Sequence, residues 1–424
     1  MTTIQRERVH TSIDVPTVAA SRPSATDVGV AILGVALAMT VGVHGAAPWP
    51  ALRAVVALAV GAAVLGLRRS VGGRIGTYGT VAIGLAGVIV GAAIGGGYVV
   101  AAGFSATGAG GVAALLLGLV LTVSGTVTLT RRARRWRRLL VVPLVPVVFV
   151  CLVMPLIVAV FVTNVPPLAL GDDRPSDLGL TYEDVQMRTT DGVQLVGWYV
   201  PSNNGAAVVL RAGAGSVRTD VLEHAAVLAR GGYGVLMLEA RGHGGSGGNA
   251  HRWGWYGDLD ISAGVTFLQS RDDVVGGRIG VVGMSMGGEE AIGAAGSDQR
   301  IRAVVAEGAT GRGMSTEGAP SEGAFRWVER RVEWFGDHMA TLMTSAPIPT
   351  KMRDAVEAAA PRPMLIIAAG NVTQERDAGE HFKAAAPNSV DLWIVPNTGH
   401  TNGIKTHPDE WADRVLQFLD RSLA

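Results

Sequence analysis

Hydrophobic and polar positions divide this 424-residue chain into two halves that meet near residue 164. Before that point, apolar residues come in long, nearly unbroken runs. After it, they come in short groups separated by polar stretches. A helix needs about 20 mostly apolar residues to cross a bilayer, whereas buried strands need only four to eight. The pattern therefore predicts a membrane-embedded half followed by a water-exposed half.

The first half contains five apolar segments, at about 28–46, 51–67, 78–102, 110–130 and 139–163. Four are comfortably long enough to span a bilayer. The second is short and carries Arg53 near its start, so whether 51–67 crosses stays open. A long polar stretch precedes the first segment, which argues against a cleaved signal peptide. We predict a transmembrane region of about five helices over residues 28–163.

Arginines indicate how these helices are oriented. Two short loops are rich in them, with three between segments two and three and six between segments four and five: Arg68, Arg69, Arg74, Arg131, Arg132, Arg134, Arg135, Arg137 and Arg138. Short loops rich in Lys and Arg face the cytoplasm. We therefore expect a cytoplasmic tail at 1–27 and an exposed linker at 164–181. The remainder of the chain is expected outside the cytoplasm.

Two further features of the membrane half bear on its role. The apolar segments contain no Asp, Glu or Lys, which argues against a transporter or a proton relay. Gly87, Gly91 and Gly95 recur every four residues in the third segment and form a face that lets helices approach closely. Packing within the bundle and self-association are both compatible with this spacing, and the oligomeric state stays open.

From residue 182, strand-like runs alternate with helical patterns. An Asp-Gly turn at 190–192 predicts a hairpin between 185–188 and 193–200. Short Val/Ile/Leu-rich strands follow, at 207–210, 234–238, 278–282, 302–306, 364–368 and 392–395. Helices are predicted between them, at about 219–230, 257–270, 288–295, 375–386 and 408–422. Continuous apolar runs are typical of parallel strands buried on both faces. The fold class is therefore α/β, with a doubly wound and mostly parallel sheet.

Composition narrows the possible functions. Hydrophobic residues make up 48% of the chain and the mean hydropathy is +0.33, an excess that lies in the first 165 residues. The net charge is +1, so nothing indicates nucleic-acid binding. No Cys/His cluster has metal-ligand spacing. Neither a metal nor a cofactor is expected.

The sequence Gly283-Met284-Ser285-Met286-Gly287 is the strongest chemical signal. It follows a predicted strand and precedes a helical pattern. A Gly-x-Ser-x-Gly turn in that context holds the serine in a strained conformation and leaves its hydroxyl exposed at a helix N-terminus. Ser285 is therefore the candidate nucleophile.

Residues 182–424 resemble the α/β-hydrolase superfamily, in particular its bacterial dienelactone-hydrolase-like and acyl-peptidase-like enzymes. Three motifs carry the likeness: the turn at Ser285, the loop Arg241-Gly242-His243-Gly244-Gly245-Ser246, and Gly399-His400 after the last predicted strand. The resemblance implies a Ser-acid-His order along the chain, with His400 as the base that accepts the serine proton. His243 is the main competitor, although that loop is mostly structural in the family.

The acid departs from the family pattern, because no Asp follows strand 364–368 at the usual spacing. Glu375, at the start of the next helix, is the first candidate to orient the histidine. Asp377 and Glu307 remain alternatives.

An oxyanion site needs two backbone N–H donors. Met286, next after the serine, is expected to supply one. Ala214 is expected to supply the other, from the loop Arg211-Ala212-Gly213-Ala214-Gly215. This loop resembles the family's His-Gly-x-Gly, with Ala212 where histidine is usual.

A polar-aromatic helical insertion is predicted at about 311–350, and its apolar residues serve either acyl recognition or packing on the sheet. Together these features predict a membrane-anchored serine hydrolase that cleaves a carboxylic ester, with a small-molecule or envelope-lipid substrate. A peptidase or acyltransferase with the same site, and a catalytically weak scaffold that binds a ligand, are the alternatives.

Overall fold

A computed structural model describes residues 23–41, 50–71, 73–102, 105–133, 144–313, 326–344 and 346–424. The apolar half forms α1 (Ala25–Val41), α2 (Pro50–Ser70), α3 (Gly73–Val90, continued through a π turn at Gly91–Gly95 into Gly96–Ala102), α4 (Ala106–Arg132) and α5 (Leu144–Thr163). Four of them, α2 to α5, are long and apolar enough to cross a membrane. The segment at 51–67, the weakest by sequence, is thus a candidate span. In α1, the described part has 17 residues.

The predicted tail over residues 1–22 lies outside the described residues, and so does most of the second arginine run, at 134–143. Residues 42–49 and 314–325, the latter within the insertion, are outside them as well.

The glycine face of α3 packs against α4. A methyl group added at Gly87 would lie 2.8 Å from the Ala114 carbonyl oxygen, and one added at Gly95 would lie 2.8 Å from the Gly111 carbonyl carbon. On α4, Gly118 faces the Gly84 carbonyl oxygen just as closely, at 2.7 Å. Since only hydrogen fits at these positions, the glycines allow close helix packing within the bundle.

Eight strands form one sheet in the order β1-β2-β4-β3-β5-β6-β7-β8. They are β1 (Glu183–Arg188), β2 (Gln194–Val200), β3 (Ala207–Arg211), β4 (Gly234–Leu238), β5 (Ile279–Met284), β6 (Ala303–Glu307), β7 (Met364–Ala369) and β8 (Val390–Val395). β2 pairs antiparallel with both β1 and β4, and all other pairs are parallel. The predicted hairpin and the mostly parallel sheet are confirmed.

Helices cover both faces of this sheet, as a doubly wound fold requires. They are α6 (Leu222–Arg230), α7 (Gly257–Gln269), α8 (Met286–Ser297), α9 (Arg326–Thr344), α10 (Met352–Ala359), α11 (Thr373–Ala385), α12 (Gly403–Thr406) and α13 (Pro408–Ser422). One core contains Ile261 of α7, Ile292 of α8 and Phe382 of α11. The other contains Leu228 of α6 and Trp411 of α13. The short helices α10 and α12 were not predicted.

α9, the helix within the insertion, packs on α5 rather than on the sheet. Ala340 of α9 shares one apolar cluster with Ala159 and Val162 of α5 and with Trp255. The Tyr256 hydroxyl donates to the carbonyl of Thr344, at the end of α9. The insertion therefore joins the last apolar helix to the loop at 250–256.

Residues 164–181, which follow α5, make more contacts with the rest of the protein than their linker-like composition suggests. The Leu168 N–H donates to Nδ1 of His243, and the Leu168 carbonyl accepts from the N–H of Gly244. Pro166 and Pro175 are buried. Two of the predicted linker's residues thus pack into the structure, and a third is bonded to the loop that resembles the family's Arg-Gly-His-Gly motif.

Candidate active site

Ser285 lies between the end of β5 and the start of α8, with φ 53° and ψ −122°. A non-glycine residue is rarely found at positive φ, so this turn is strained. The neighbouring glycines make it possible. An added methyl group at Gly287 would lie 2.6 Å from the carbonyl oxygens of Arg211 and Ala212, and one at Gly283 would collide with Gly287. The turn therefore presents the Ser285 side chain beside the N-terminus of α8.

His400 and Glu375 meet Ser285 in a single chain of hydrogen bonds. Nε2 of His400 lies 2.8 Å from Oγ of Ser285, and Nδ1 lies 2.6 Å from Oε1 of Glu375. A carboxylate only accepts, so Nδ1 carries the proton and Nε2 is free to accept from the hydroxyl. The hydrogen bond to Glu375 raises the pKa of His400, although partial burial opposes this shift. His400 thus lies within hydrogen-bonding distance of both of the other sequence-predicted side chains.

The alternative acids occupy other positions. Glu307 is buried at the end of β6, where one carboxylate oxygen accepts from the Gly403 N–H at 2.8 Å and the other from Nε1 of Trp411 at 2.9 Å. Burial raises the pKa of Glu307. Asp377 lies on α11, two residues beyond Glu375. Glu375 is only 1% exposed, and its second oxygen accepts from the Ala369 N–H at 2.8 Å, which fixes its orientation.

Gly213 brings the loop after β3 against the serine. A methyl group added there would lie 3.0 Å from Cβ of Ser285 and 3.2 Å from the Met284 carbonyl oxygen. Ala214 and Met286, the two predicted backbone donors, line one cavity next to this contact. Their N–H groups stay predicted donors.

His243 and His251 line the same cavity from the loop after β4. Nδ1 of His243 accepts from Leu168, so its role is tied to the segment after α5. His251 stacks on Trp255 with ring centroids 4.6 Å apart, and its Nε2 has no partner among the described residues. Burial lowers the pKa of His251 to about 3, so this ring is neutral at physiological pH. Neither histidine takes the place of His400 beside Ser285.

A buried network of charged side chains lines the cavity, and no sequence motif predicted how they pair. Arg211, at the end of β3, donates from both Nε (2.8 Å) and Nη2 (2.5 Å) to one oxygen of Glu290 on α8. Arg241 pairs with Asp260 at 2.5 Å and with Asp191 at 2.8 Å. The Arg211–Glu290 pair joins the start of the loop containing Ala214 to the serine helix.

Glu289, the neighbour of Glu290, holds the start of the insertion. Its Oε1 accepts from the N–H groups of Thr310 (3.0 Å) and Gly311 (2.9 Å). Two adjacent glutamates soon after the serine turn thus bind different partners, Arg211 and the backbone at 310–311. Among the described residues, no group of three or more His, Cys, Asp or Glu could hold a metal ion.

Comparison with known proteins agrees with this architecture. Residues 208–414 match the model of the "Alpha/beta hydrolase family". An uncharacterized protein of Mycobacterium tuberculosis is 28% identical over 240 residues, which cover 56% of this chain and 78% of that protein. Thiohydrolase aneE of Aspergillus aculeatus is 33% identical over 134 residues, or 30% of this chain and 41% of the thiohydrolase.

Among solved structures, the esterase Pf2001 of Pyrococcus furiosus has a TM-score of 0.48 at 26% identity and covers 61% of this chain and 100% of its own. The match to the family model confirms the predicted likeness to alpha/beta hydrolases. Residues 208–414, from β3 to α13, are therefore similar to the alpha/beta hydrolase family.

Proposed function

We propose that this protein is a serine hydrolase that cleaves a carboxylic ester through an acyl-enzyme intermediate. The observation that supports this proposal best is the continuous chain of two hydrogen bonds, 2.8 Å and 2.6 Å long, from Ser285 through His400 to Glu375. A serine hydroxyl is a weak nucleophile at neutral pH unless an adjacent base accepts its proton. Nε2 of His400 has the geometry for that task.

In the first half of the reaction, Oγ of Ser285 attacks the ester carbonyl carbon while its proton passes to Nε2 of His400. Glu375 stabilises the imidazolium that forms. The carbonyl oxygen becomes an oxyanion and accepts from the N–H groups of Met286 and Ala214. The tetrahedral intermediate then breaks its bond to the alcohol oxygen, and His400 returns the proton to the departing alcohol.

In the second half, water replaces the alcohol. His400 removes a proton from the water as its oxygen attacks the acyl carbon, and a second oxyanion forms at the same donors. Breakdown releases the carboxylic acid and returns the proton to Oγ of Ser285.

The proposal extends to location. The apolar helices α2 to α5 anchor the hydrolase half in a membrane, and the arginine distribution orients that half away from the cytoplasm. A reporter that is active only outside the cytoplasm, fused after Ala424, is expected to be active. Activity of a cytoplasm-only reporter at that position would contradict this topology.

Activity-based labelling tests the chemistry directly. A fluorophosphonate probe is expected to label the wild-type protein in membranes, and the Ser285→Ala variant is expected to lose labelling and essentially all turnover of a short-chain aryl ester. Labelling that persists in the variant would disprove the role of Ser285. A folded wild-type protein without labelling would favour a ligand-binding role instead.

A further inference from the structure

A second cavity lies among the apolar helices, at the point where α1 and α3 begin and α2 and α4 end. Its volume is about 260 Å³, and Thr26, Arg68, Gly76 and Arg132 each line it from a different helix. A single water molecule needs roughly 10–15 Å³. The cavity therefore has room for a group much larger than water.

This cavity is remote from the candidate active site. Gly76, near the start of α3, lines the cavity, whereas a methyl group added at Gly97, near the end of that helix, would lie 3.8 Å from Nη2 of Arg252 in the hydrolase half. Roughly 30 Å of helix separate the two glycines. Because α2, α3 and α4 are long and apolar enough to cross a membrane, their ends lie at the level of the phospholipid headgroups.

One of the two arginines that line the cavity has a counter-charge. Nε of Arg68 lies 2.8 Å from Oδ1 of Asp27, and its Nη1 donates to Oγ1 of Thr80 at 2.5 Å. Arg132 is exposed at the cavity, and no hydrogen bond or ion pair joins its side chain to another described residue. The side chains that line the cavity thus have one unbalanced positive charge, which favours a ligand with a single negative charge.

Hydroxyl groups in the wall favour a ligand that also has hydrogen-bond donors. The Thr77 hydroxyl donates to the carbonyl of Gly73 at 2.9 Å. The Thr128 hydroxyl donates to the carbonyl of Ser124 at 2.8 Å. A hydroxyl has one proton and two lone pairs, so both oxygens can still accept a hydrogen bond. A negatively charged group that carries hydroxyls matches this wall better than one without donors.

We propose that this cavity binds a phosphodiester that carries a hydroxylated headgroup, which is the chemistry of phosphatidylglycerol in a membrane and of glycerophosphoglycerol in solution. The single negative charge of the phosphodiester pairs with Arg132, since a guanidinium group binds phosphate oxygens with two parallel N–H groups. The headgroup hydroxyls donate to the oxygens of Thr77 and Thr128. A ligand in this position contacts the ends of several helices and stabilises the bundle.

The first test measures binding to purified full-length protein in detergent, after removal of bound lipid. Three lipids with identical acyl chains are compared by native mass spectrometry and by thermal unfolding: phosphatidylglycerol, phosphatidylmethanol and phosphatidylcholine. Phosphatidylmethanol keeps the negative charge but has no headgroup hydroxyl, and phosphatidylcholine has neither a net charge nor a donor. We expect phosphatidylglycerol to bind about tenfold more tightly than either of the others and to raise Tm the most.

A fourth probe, glycerophosphoglycerol, identifies the source of the ligand. It has the phosphodiester and the hydroxyls of the lipid but no acyl chains. Binding as tight as that of phosphatidylglycerol would assign the site to a soluble phosphodiester. Much weaker binding than that of the lipid would assign it to a membrane lipid.

The second test uses variants. Arg132→Gln removes the unbalanced charge and is expected to weaken binding of phosphatidylglycerol about tenfold, without a change in the Tm of the lipid-free protein. Arg69→Gln is the matched control, because Arg69 is an exposed arginine at the end of α2 that does not line the cavity. We expect Arg69→Gln to bind like the wild-type protein. Thr128→Val keeps the shape of the side chain and removes an acceptor, so it should reduce the preference for phosphatidylglycerol over phosphatidylmethanol.

Two results would overturn the proposal. One is equal binding of the three lipids, with no binding of glycerophosphoglycerol, because the cavity would then not recognise the headgroup. The other is an equal loss of binding in Arg69→Gln and Arg132→Gln, since this would show a general attraction between arginines and anionic lipid.

Discussion

Replacing Glu375 by glutamine tests the proposed catalytic relay most sharply, because the structure dictates how the amide must be oriented. One oxygen of Glu375 accepts from the Ala369 N–H, and the other faces Nδ1 of His400. In Glu375→Gln the carbonyl oxygen has to keep the bond to Ala369, since an NH₂ group there would face another donor. The NH₂ group is then directed at Nδ1 of His400.

This orientation forces His400 into the wrong tautomer. Nδ1 must accept from the amide, so the proton moves to Nε2 and points at Oγ of Ser285. The histidine then cannot remove the serine proton, and the negative charge that stabilises the imidazolium is also lost. The corresponding amide substitution in a Ser-His-Asp triad lowers kcat by about 10⁴-fold. A loss of this size equals about 5 kcal/mol of transition-state stabilisation.

The pH profile gives a second readout with a defined sign. The reactive form of His400 has Nε2 unprotonated, so kcat/KM rises with pH through the pKa of His400. Glu375 raises that pKa in the wild-type protein. Residual activity of Glu375→Gln is therefore expected to rise at lower pH than wild-type activity.

The assay is turnover of a soluble short-chain aryl ester by the full-length protein, with folding checked by thermal unfolding. Asp377→Asn is the matched control, because it makes the same chemical change two residues along α11. We expect it to keep wild-type turnover. The reasoning would be refuted by a loss of turnover in Glu375→Gln smaller than about tenfold, together with a rise of kcat/KM at the same pH as in the wild-type protein. An equal loss of turnover in Asp377→Asn would refute it as well.

Three further substitutions probe the surroundings of the site. Glu290→Gln leaves Arg211 buried without a full counter-charge and is expected to lower the free energy of unfolding by about 3 kcal/mol, measured by chemical denaturation. Gly213→Ala pushes the loop after β3 away from Ser285 and is expected to lower kcat by about 10²-fold. Glu307→Gln turns one acceptor for Trp411 or Gly403 into a donor, so we expect a lower Tm and a loss of about 1–3 kcal/mol in the free energy of unfolding. The pH dependence of kcat/KM should not change in this variant.

Two of these substitutions have a matched control variant, and the third has a contrary result of its own. Glu357→Gln removes an exposed pair with Arg353 and should change stability by less than about 1 kcal/mol; a loss equal to that of Glu290→Gln would argue against a special role for the buried pair. A methyl group at Gly276 meets no atom within 4 Å, so Gly276→Ala should leave kcat unchanged. A shift in the pH dependence of kcat/KM in Glu307→Gln would make Glu307 a candidate again for the carboxylate that orients His400.

The fold was predictable wherever local pattern and long-range packing agree. Strands β3 to β6 are continuous apolar runs, and the Asp-Gly turn set the register of β1 and β2. Helix α10 was missed because it is only eight residues long and is stabilised by packing of Met352 and Val356 on the core. The sequence pattern did not reveal that the insertion packs on α5, since that contact joins elements more than 150 residues apart.

The residues of the candidate site that belong to local sequence motifs could be predicted. Ser285 and His400 follow from local sequence, whereas Glu375 was chosen because no Asp stands at the usual spacing. The Arg211–Glu290 pair joins positions 79 residues apart, and neither residue belongs to a motif that would have linked them. Long-range charge pairing of this kind depends on the topology of the sheet, which brings the end of β3 beside α8.

The apolar cluster of Ala159, Val162, Trp255 and Ala340 has a practical consequence for anyone who wishes to work with a water-soluble fragment. A truncated chain that begins at residue 182 retains the whole sheet, yet it loses the helix that shields Trp255 and Ala340 from solvent. The apolar surface that this truncation exposes would promote aggregation. Because α5 packs on the hydrolase half, expression strategies should retain α5 or replace the apolar residues that it covers.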